Sequence, residues 1–317
     1  MYKEIYTTAT KLSTFDDGRL PIEQLLARLN TLVDHGWKRH VLFNQIAIEP
    51  GHNKRTYLPI CAYTSPNPGL ALWQIIGVHG EEPAGVMAVA KHLDVLISMA
   101  RGGVPIVLLG PCNPKGYYTD WRYPEVWRNM EWGRSTTEAG HLLPHLDEPW
   151  RARYAEAATP EAWAINNFVL DQIRKYPPLW VVNYHEDEAD IFRLTFPRKD
   201  RFSTYLYSLS RQEDSIGDPI SKAVAAIWRA VGVSLIWDGE TRSGEPIFDG
   251  VARADPDDSI DELLASGVQP AAYSVLVTET PTIGENGPIP VWKRVAIQNQ
   301  VVLALPKLWK LAQDTYL

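Results

Sequence analysis

The chain predicts an α/β fold, a mainly parallel mixed β-sheet flanked by helices on both faces. Three observations lead there. Apolar runs of strand length alternate with longer stretches of helical period along the 317 residues, the order that builds a parallel sheet under helical crossovers. The run LALWQIIGV (70–78) is apolar almost throughout, as a strand covered on both faces should be. The helical stretches open on start signals, Pro83 in one and Thr159 followed by Pro160 in another. Proline suits a first turn because no N–H is needed there, and threonine caps the free N–H groups of that turn.

The elements follow in order. HVLFNQIAI (40–48) and TYLPICAY (56–63) read as strands joined by the turn EPGHNKR, and LALWQIIGV (70–78) is the buried strand. PAGVMAVAKHLDVLISMA (83–100) reads as a helix and VPIVLLGP (104–111) as the next buried strand. A loop-rich stretch (112–158) precedes the helix TPEAWAINNFVLDQIRKY (159–176) and the strand PLWVVNYH (178–185). DPISKAVAAIWRAVG (218–232) reads as a helix that Gly232 ends. AAYSVLVTE (271–279) is the last strong strand, and IPVWKRVAIQNQVVLALPKLWKLA (289–312) a closing helix bent near Pro306. No linker separates two self-contained patterns, so one domain over 1–317 is expected. The acidic, turn-rich stretch 238–270 fits either a lid or a solvated excursion.

Composition narrows the function. Hydrophobic residues make up 45% and charged residues 22%, ordinary for a globular chain. Net charge is −7 with no run of Lys or Arg, which argues against nucleic acid as a partner. No stretch of about 20 apolar residues could span a membrane, and MYKEIYTTATKLSTF lacks the apolar core of a signal peptide. A soluble, cytoplasmic protein is expected. Cys61 and Cys112 are too few for a disulfide framework and sit in apolar, strand-like settings as buried thiols. No Gly-rich phosphate loop and no GxSxG elbow is present. Trp121, Trp127 and Trp132 cluster with three arginines, either as packing anchors or as the wall of a pocket.

The polar residues gather at strand ends. Strand 70–78 ends at His79 and Glu82, strand 104–111 at Asn113, strand 178–185 at His185-Glu186-Asp187-Glu188, and strand 271–279 at Glu279. Ligands of such sheets collect outside the carboxyl ends of the strands. Taken singly, each residue has a plain structural reading: a hydrogen-bonded histidine, a glutamate capping a turn. Their joint placement is what points to chemistry. His, Glu and His form the ligand set of a catalytic zinc, with one position left open for water. A further carboxylate, Glu279, then serves as the base. The acids beside His185 are candidates to receive its second N–H.

At these residues the sequence resembles the zinc carboxypeptidase family, including its succinylglutamate desuccinylase/aspartoacylase-like branch. His79-Gly80-Glu81-Glu82 matches that family's H-G-x-E, Asn113-Pro114-Lys115-Gly116 its N-P-x-G, His185-Glu186 its third ligand and Thr278-Glu279-Thr280-Pro281 its catalytic glutamate segment. The likeness runs from about residue 40 to the C-terminus. It implies the family's three-layer, phosphorylase/hydrolase-like fold, one Zn²⁺ held by His79, Glu82 and His185, and Glu279 as catalytic residue.

It further implies an arginine that polarises the scissile carbonyl, for which Arg128 and Arg122 compete. The family's D-x-N-R stretch, which grips a substrate carboxylate, is only partly matched: Arg134 stands at the arginine, but Gly133 replaces the asparagine. Asn113 is placed on the substrate side and could order the loop that carries the arginines. Tyr205 and Tyr207, in RFSTYLYSLS (201–210), are substrate-side candidates, although strand tyrosines mostly pack. The implied activity is hydrolysis of a peptide or amide bond in a small peptide or an N-acyl amino acid. A deacylase or a cell-wall-peptide amidase is the alternative on the same fold, and a non-catalytic binding protein the rival of another class.

Overall fold

The computed structural model describes residues 17–49, 54–124, 134–187, 204–210, 218–241, 244–254, 258–284 and 287–317. In chain order the first half contains α1 (Ile22–Asn30), β1 (Lys38–Glu49), β2 (Lys54–Thr64), β3 (Ala71–Ile76), α2 (Pro83–Lys91), α3 (Leu93–Arg101), β4 (Ile106–Leu109) and α4 (Pro114–Thr119). Then come α5 (Pro160–Gln172), β5 (Pro178–Asp187), β6 (Leu206–Ser210), α6 (Pro219–Ala230), β7 (Gly239–Glu240), β8 (Pro246–Phe248) and β9 (Val251–Arg253). The chain closes with α7 (Ile260–Glu262), β10 (Ser274–Pro281), the small hairpin β11 (Ile283–Gly284) and β12 (Gly287–Pro288), and α8 (Val291–Tyr316).

The most apolar run becomes the centre of the sheet. β3 is buried at every position and lies between β4 and β5, parallel to both. β10 adds a fourth parallel strand beyond β5. The full ten-stranded order is β1-β2-β4-β3-β5-β10-β6-β9-β8-β7. The sheet is thus parallel in its middle, while β1 and β2 on one flank and β6 on the other join antiparallel.

Alternation along β3 explains its composition. Leu72 and Ile76 face one apolar layer, built with residues of α1, α2, α3, α6 and α8. Trp73 and Ile75 face the other, built with residues of α5 and of 260–268. Successive side chains point to opposite faces of a strand, so a strand covered twice is apolar at nearly every step, Gln74 being the exception here. Each Leu or Ile buried in this way contributes about 1.5–3 kcal/mol.

The start signals act as expected. The Thr159 hydroxyl accepts from Ala162 N and Pro160 opens α5. Glu82 stands at the N-cap of α2, with Pro83 first inside it. The stretch expected as one helix, 83–100, is two. It breaks at His92 (φ −116°, ψ 37°), where α2 and α3 bend by 54°. α2 is buried almost throughout, whereas α3 mixes buried and exposed positions, so the chain turns as it leaves the core. The closing helix runs to Tyr316 and carries Pro306 inside it. The stretch 238–270 adds β7–β9 to the sheet edge and buries Ile260, Leu263 and Leu264. Cys61 and Cys112 are both buried free thiols. Among the described residues no single helix is long and apolar enough to cross a membrane.

Candidate metal centre

β3, β5 and β10 run parallel, so their carboxyl ends meet at one edge. Just past β3 the chain turns at Gly77 with φ +64°, where a Cβ would lie 2.9 Å from the Val86 side chain. His79 follows, and Glu82 begins α2. His185 lies near the end of β5. Among the described residues one group could hold a metal ion: His79, Glu82 and His185 each offer a ligand atom, all within 4.8 Å of one another. The two imidazole rings stand 5.0 Å apart, inclined at 65°. The Glu82 carboxylate meets His185 Nδ1 at 3.0 Å.

These residues suit a zinc-type ion. His79 Nδ1 is buried without a hydrogen-bond partner, while the ring bonds the backbone of Arg122. A buried acceptor left open costs free energy unless something occupies it, and an imidazole whose other nitrogen is held by a backbone carbonyl is the usual form of a metal ligand. Burial holds His79 well below the ordinary histidine pKa, so it is neutral and able to ligate. Burial also opposes charge on Glu82, but His79, His185 and Arg122 outweigh it and pull its pKa down. For His185, burial is outweighed by Glu82, Glu279 and Asp261, which raise it to about 9. Without metal the site therefore holds a carboxylate beside an imidazolium.

Glu279 pairs in register with His185 across β10 and β5, so both side chains rise from the same sheet face. Its charge acts on His185, yet it is not part of the ligand group. Val277, two residues earlier, pairs with Tyr207 on β6. The Tyr205 and Tyr207 hydroxyls meet at 3.0 Å, with the rings edge to face. The backbone register sets this tyrosine pair on the same face as Glu279. Tyr123 adds a ring 6.4 Å from His79, and Trp121 lies 6.5 Å beyond it.

The other expected site residues have partners of their own. Asn113 is wholly buried. Its side chain caps α4 by accepting from Gly116 N at 3.0 Å, accepts from Gln45 Nε2 at 3.2 Å and donates to Arg122 O at 3.1 Å. It thereby orders the loop that carries Arg122, whose backbone bonds His79. Arg122 pairs with both motif glutamates: its Nη1 lies 2.7 Å from Glu82 and 2.9 Å from Glu81. Glu81, the variable position of the motif, thus shares the guanidinium with Glu82, and burial with the neighbouring Glu82 pushes its pKa up to about 8. Arg134 stacks on Tyr154, 4.4 Å from the ring centre. Arg128, Trp127 and Trp132 fall outside the described residues.

Glu186 does not back the His185 ring. Adjacent strand residues face opposite ways, and the Glu186 carboxylate reaches Ala84 N at 2.6 Å and Arg294 on the other face. Glu188 lies outside the described residues. The two motif loops also touch through their glycines: a Cβ on Gly80 would fall 2.0 Å from the carbonyl carbon of Gly116. No feature of either motif alone shows this contact.

No protein-family model matches this sequence, and no curated protein matches it. Solved structures do. A putative metallopeptidase of Shewanella denitrificans OS217 superposes with TM-score 0.62 at 20% identity, covering 89% of this chain and 88% of that one. Another from Shewanella baltica OS155 gives TM-score 0.60 at 19% identity, over 89% and 90%. The chain has the metallocarboxypeptidase fold. Carboxypeptidase A of Helicoverpa armigera carries that fold too, with TM-score 0.58 at 12% identity over 99% of this chain and 80% of that one. Identities this low speak for the fold, and the chemistry rests on this chain's own residues.

Proposed function

We propose that residues 1–317 form one catalytic domain that hydrolyses a peptide or amide bond, using one Zn²⁺ held by His79, Glu82 and His185. One observation carries the reading. Three buried or half-buried ligand atoms converge within 4.8 Å at the edge where Glu279 stands in register with His185. Zinc in such a site supplies Lewis acidity and brings the pKa of a coordinated water to about 7.

The chain's own groups do the rest. Glu279 takes the proton from the attacking water and passes it to the leaving nitrogen. Glu82 presents a carboxylate oriented by Arg122, and His79 is held through the Arg122 backbone. Tyr123 bounds the site beside His79. Arg128 is the candidate for the developing oxyanion. The substrate is a small peptide or an N-acyl amino acid.

Two measurements test this. Zinc should copurify at about one equivalent per chain, as a three-ligand site requires. Glu279→Gln should keep the metal and lose turnover by about 10²-fold or more, the scale of general base catalysis. Metal retained with full activity in Glu279→Gln overturns the base assignment.

A deacylase or cell-wall-peptide amidase is the second reading, and one observation favours it. Arg122 is engaged by Glu81 and Glu82, and Arg134 by Tyr154, so neither of these two candidates has the setting of an exopeptidase carboxylate clamp. A screen of C-terminally free and blocked dipeptides against N-acyl amino acids and muropeptides separates the readings. Cleavage that requires a free C-terminal carboxylate selects the carboxypeptidase.

A further inference from the structure

The site draws its groups from three elements: Glu82 from the first residues of α2, His185 from β5 and Glu279 from β10. Something must hold those elements in register to a fraction of an ångström. The side chains that do so lie on the opposite face of the sheet, on α8.

Gln298 is wholly buried. Its Nε2 donates to the backbone oxygen of the ligand His185 at 3.0 Å and to Thr278 Oγ1 at 3.0 Å. Thr278 immediately precedes Glu279, and its hydroxyl in turn donates to Asn183 O on β5 at 3.3 Å. One amide therefore spans the two strands that carry the third ligand and the base, at the rung where they must align. Arg294, one turn earlier on α8, binds the Glu186 carboxylate. The other oxygen of that carboxylate accepts from Ala84 N at 2.6 Å, two residues after Glu82. The Glu186 backbone N–H donates to Glu82 Oε2 at 3.2 Å. Glu186, directly after His185, thus touches the ligand Glu82 with its amide and the helix behind that ligand with its side chain.

We propose that Gln298 and Arg294 are positioning residues: through Thr278 and Glu186 they lock β5, β10 and the start of α2 so that His79, Glu82 and His185 meet the metal and Glu279 meets the substrate. The inference rests on the metal reading above. A merely structural role fits these groups less well. A buried ion pair is a weak source of stability compared with apolar packing, and Arg294 Nε and Gln298 Oε1 are left without hydrogen-bond partners in the interior. A side chain chosen for stability alone would fill this layer with aliphatic carbon. What polar groups add here is a fixed angle between strands, and reaction rates are sensitive to that. A misplacement of about 1 Å can cost on the order of 10²-fold.

Gln298→Met removes both donated bonds while filling most of the volume. The readouts are the Zn²⁺ dissociation constant by chelator competition, the visible spectrum of the Co²⁺-loaded chain, and kcat and KM on whichever peptide or N-acyl amino acid the wild type cleaves. The expected result is zinc binding weakened by about 10–100-fold, the usual cost of losing outer-shell support, a shifted Co²⁺ spectrum, and a loss in kcat larger than any rise in KM. Arg294→Lys, which keeps the charge beside Glu186, should stay near wild type, and Arg294→Gln should follow Gln298→Met. If Gln298→Met does not fold, Thr278→Val cuts the same bridge at its other end and carries the same expectation. Unchanged zinc affinity and Co²⁺ spectrum in the folded variants, with the wild type binding zinc, overturn this inference alone. A wild type that binds no zinc overturns the metal reading and this one with it.

Discussion

Replacing Gly80 by alanine would place one methyl group between two stretches of backbone. Its Cβ would lie 2.0 Å from the Gly116 carbonyl carbon and 2.4 Å from both the Gly116 Cα and oxygen. Ordinary carbon contacts are about 3.5–4.0 Å, so one loop must retreat by on the order of 1.5 Å. No side chain can rotate aside to absorb this. Overpacking typically costs about 1–3 kcal/mol, and with backbone on both sides the upper end applies. For a chain of this size about 3 kcal/mol lowers Tm by roughly 4–5 °C. The greater effect falls on the metal. Gly80 directly follows His79 and stands two residues before Glu82, so the retreat displaces ligands. Zinc affinity should fall by about 10–100-fold. The assay is chelator competition and thermal melting of the wild type, Gly80→Ala and Gly284→Ala, whose Cβ would meet nothing nearer than 3.5 Å. Wild-type zinc affinity and Tm in Gly80→Ala would refute the packing of the two motif loops.

Asn113→Ala removes an N-cap worth about 1 kcal/mol and its bonds to Gln45 Nε2 and Arg122 O, each worth about 0.5–1.5 kcal/mol because Glu161 and His79 remain as their other partners. A denaturation midpoint equal to the wild type's would contradict its place in the network. Zinc uptake near pH 7 should release a proton, because His185, raised to about 9 without metal, is charged there and must be neutral to ligate. Affinity should accordingly climb as pH rises toward about 9 and then level off. A pH-stat titration showing no proton release counts against the Glu82–His185 pair. Burial raises the Cys112 thiol, and Cys61 is equally inaccessible. A thiol reagent should therefore find neither in the native chain and both after denaturation, and rapid native labelling would contradict the core packing.

Much of the fold was legible because it depends on local pattern. β3 reads as a doubly covered strand since all of its residues but Gln74 are apolar on both faces. α5 reads from Thr159 and Pro160, whose cap operates over three residues. The break at His92 was hidden, because 83–100 is apolar enough to read as one helix. The site divides in the same way. His79, Glu82, His185 and Glu279 could be found because parallel strands deliver their ends to one edge. The face of Glu186 was also readable, since a residue directly after an inward-facing ligand must point outward. Gln45 and Gln298 carried no such signal: their partners lie 68 and 113 residues away.

The order of strands and helices, and the ends at which polar residues collect, were therefore written in local periodicity, which needs no distant partner. Which polar residue holds which other was settled by tertiary contact. Asn113 met Gln45, Gly116 and Arg122, Arg122 paired with Glu82, and Gly80 packed on Gly116. Hydrogen bonds and steric contacts act within a few ångströms in space, and chain separation sets no limit on which residues that space brings together.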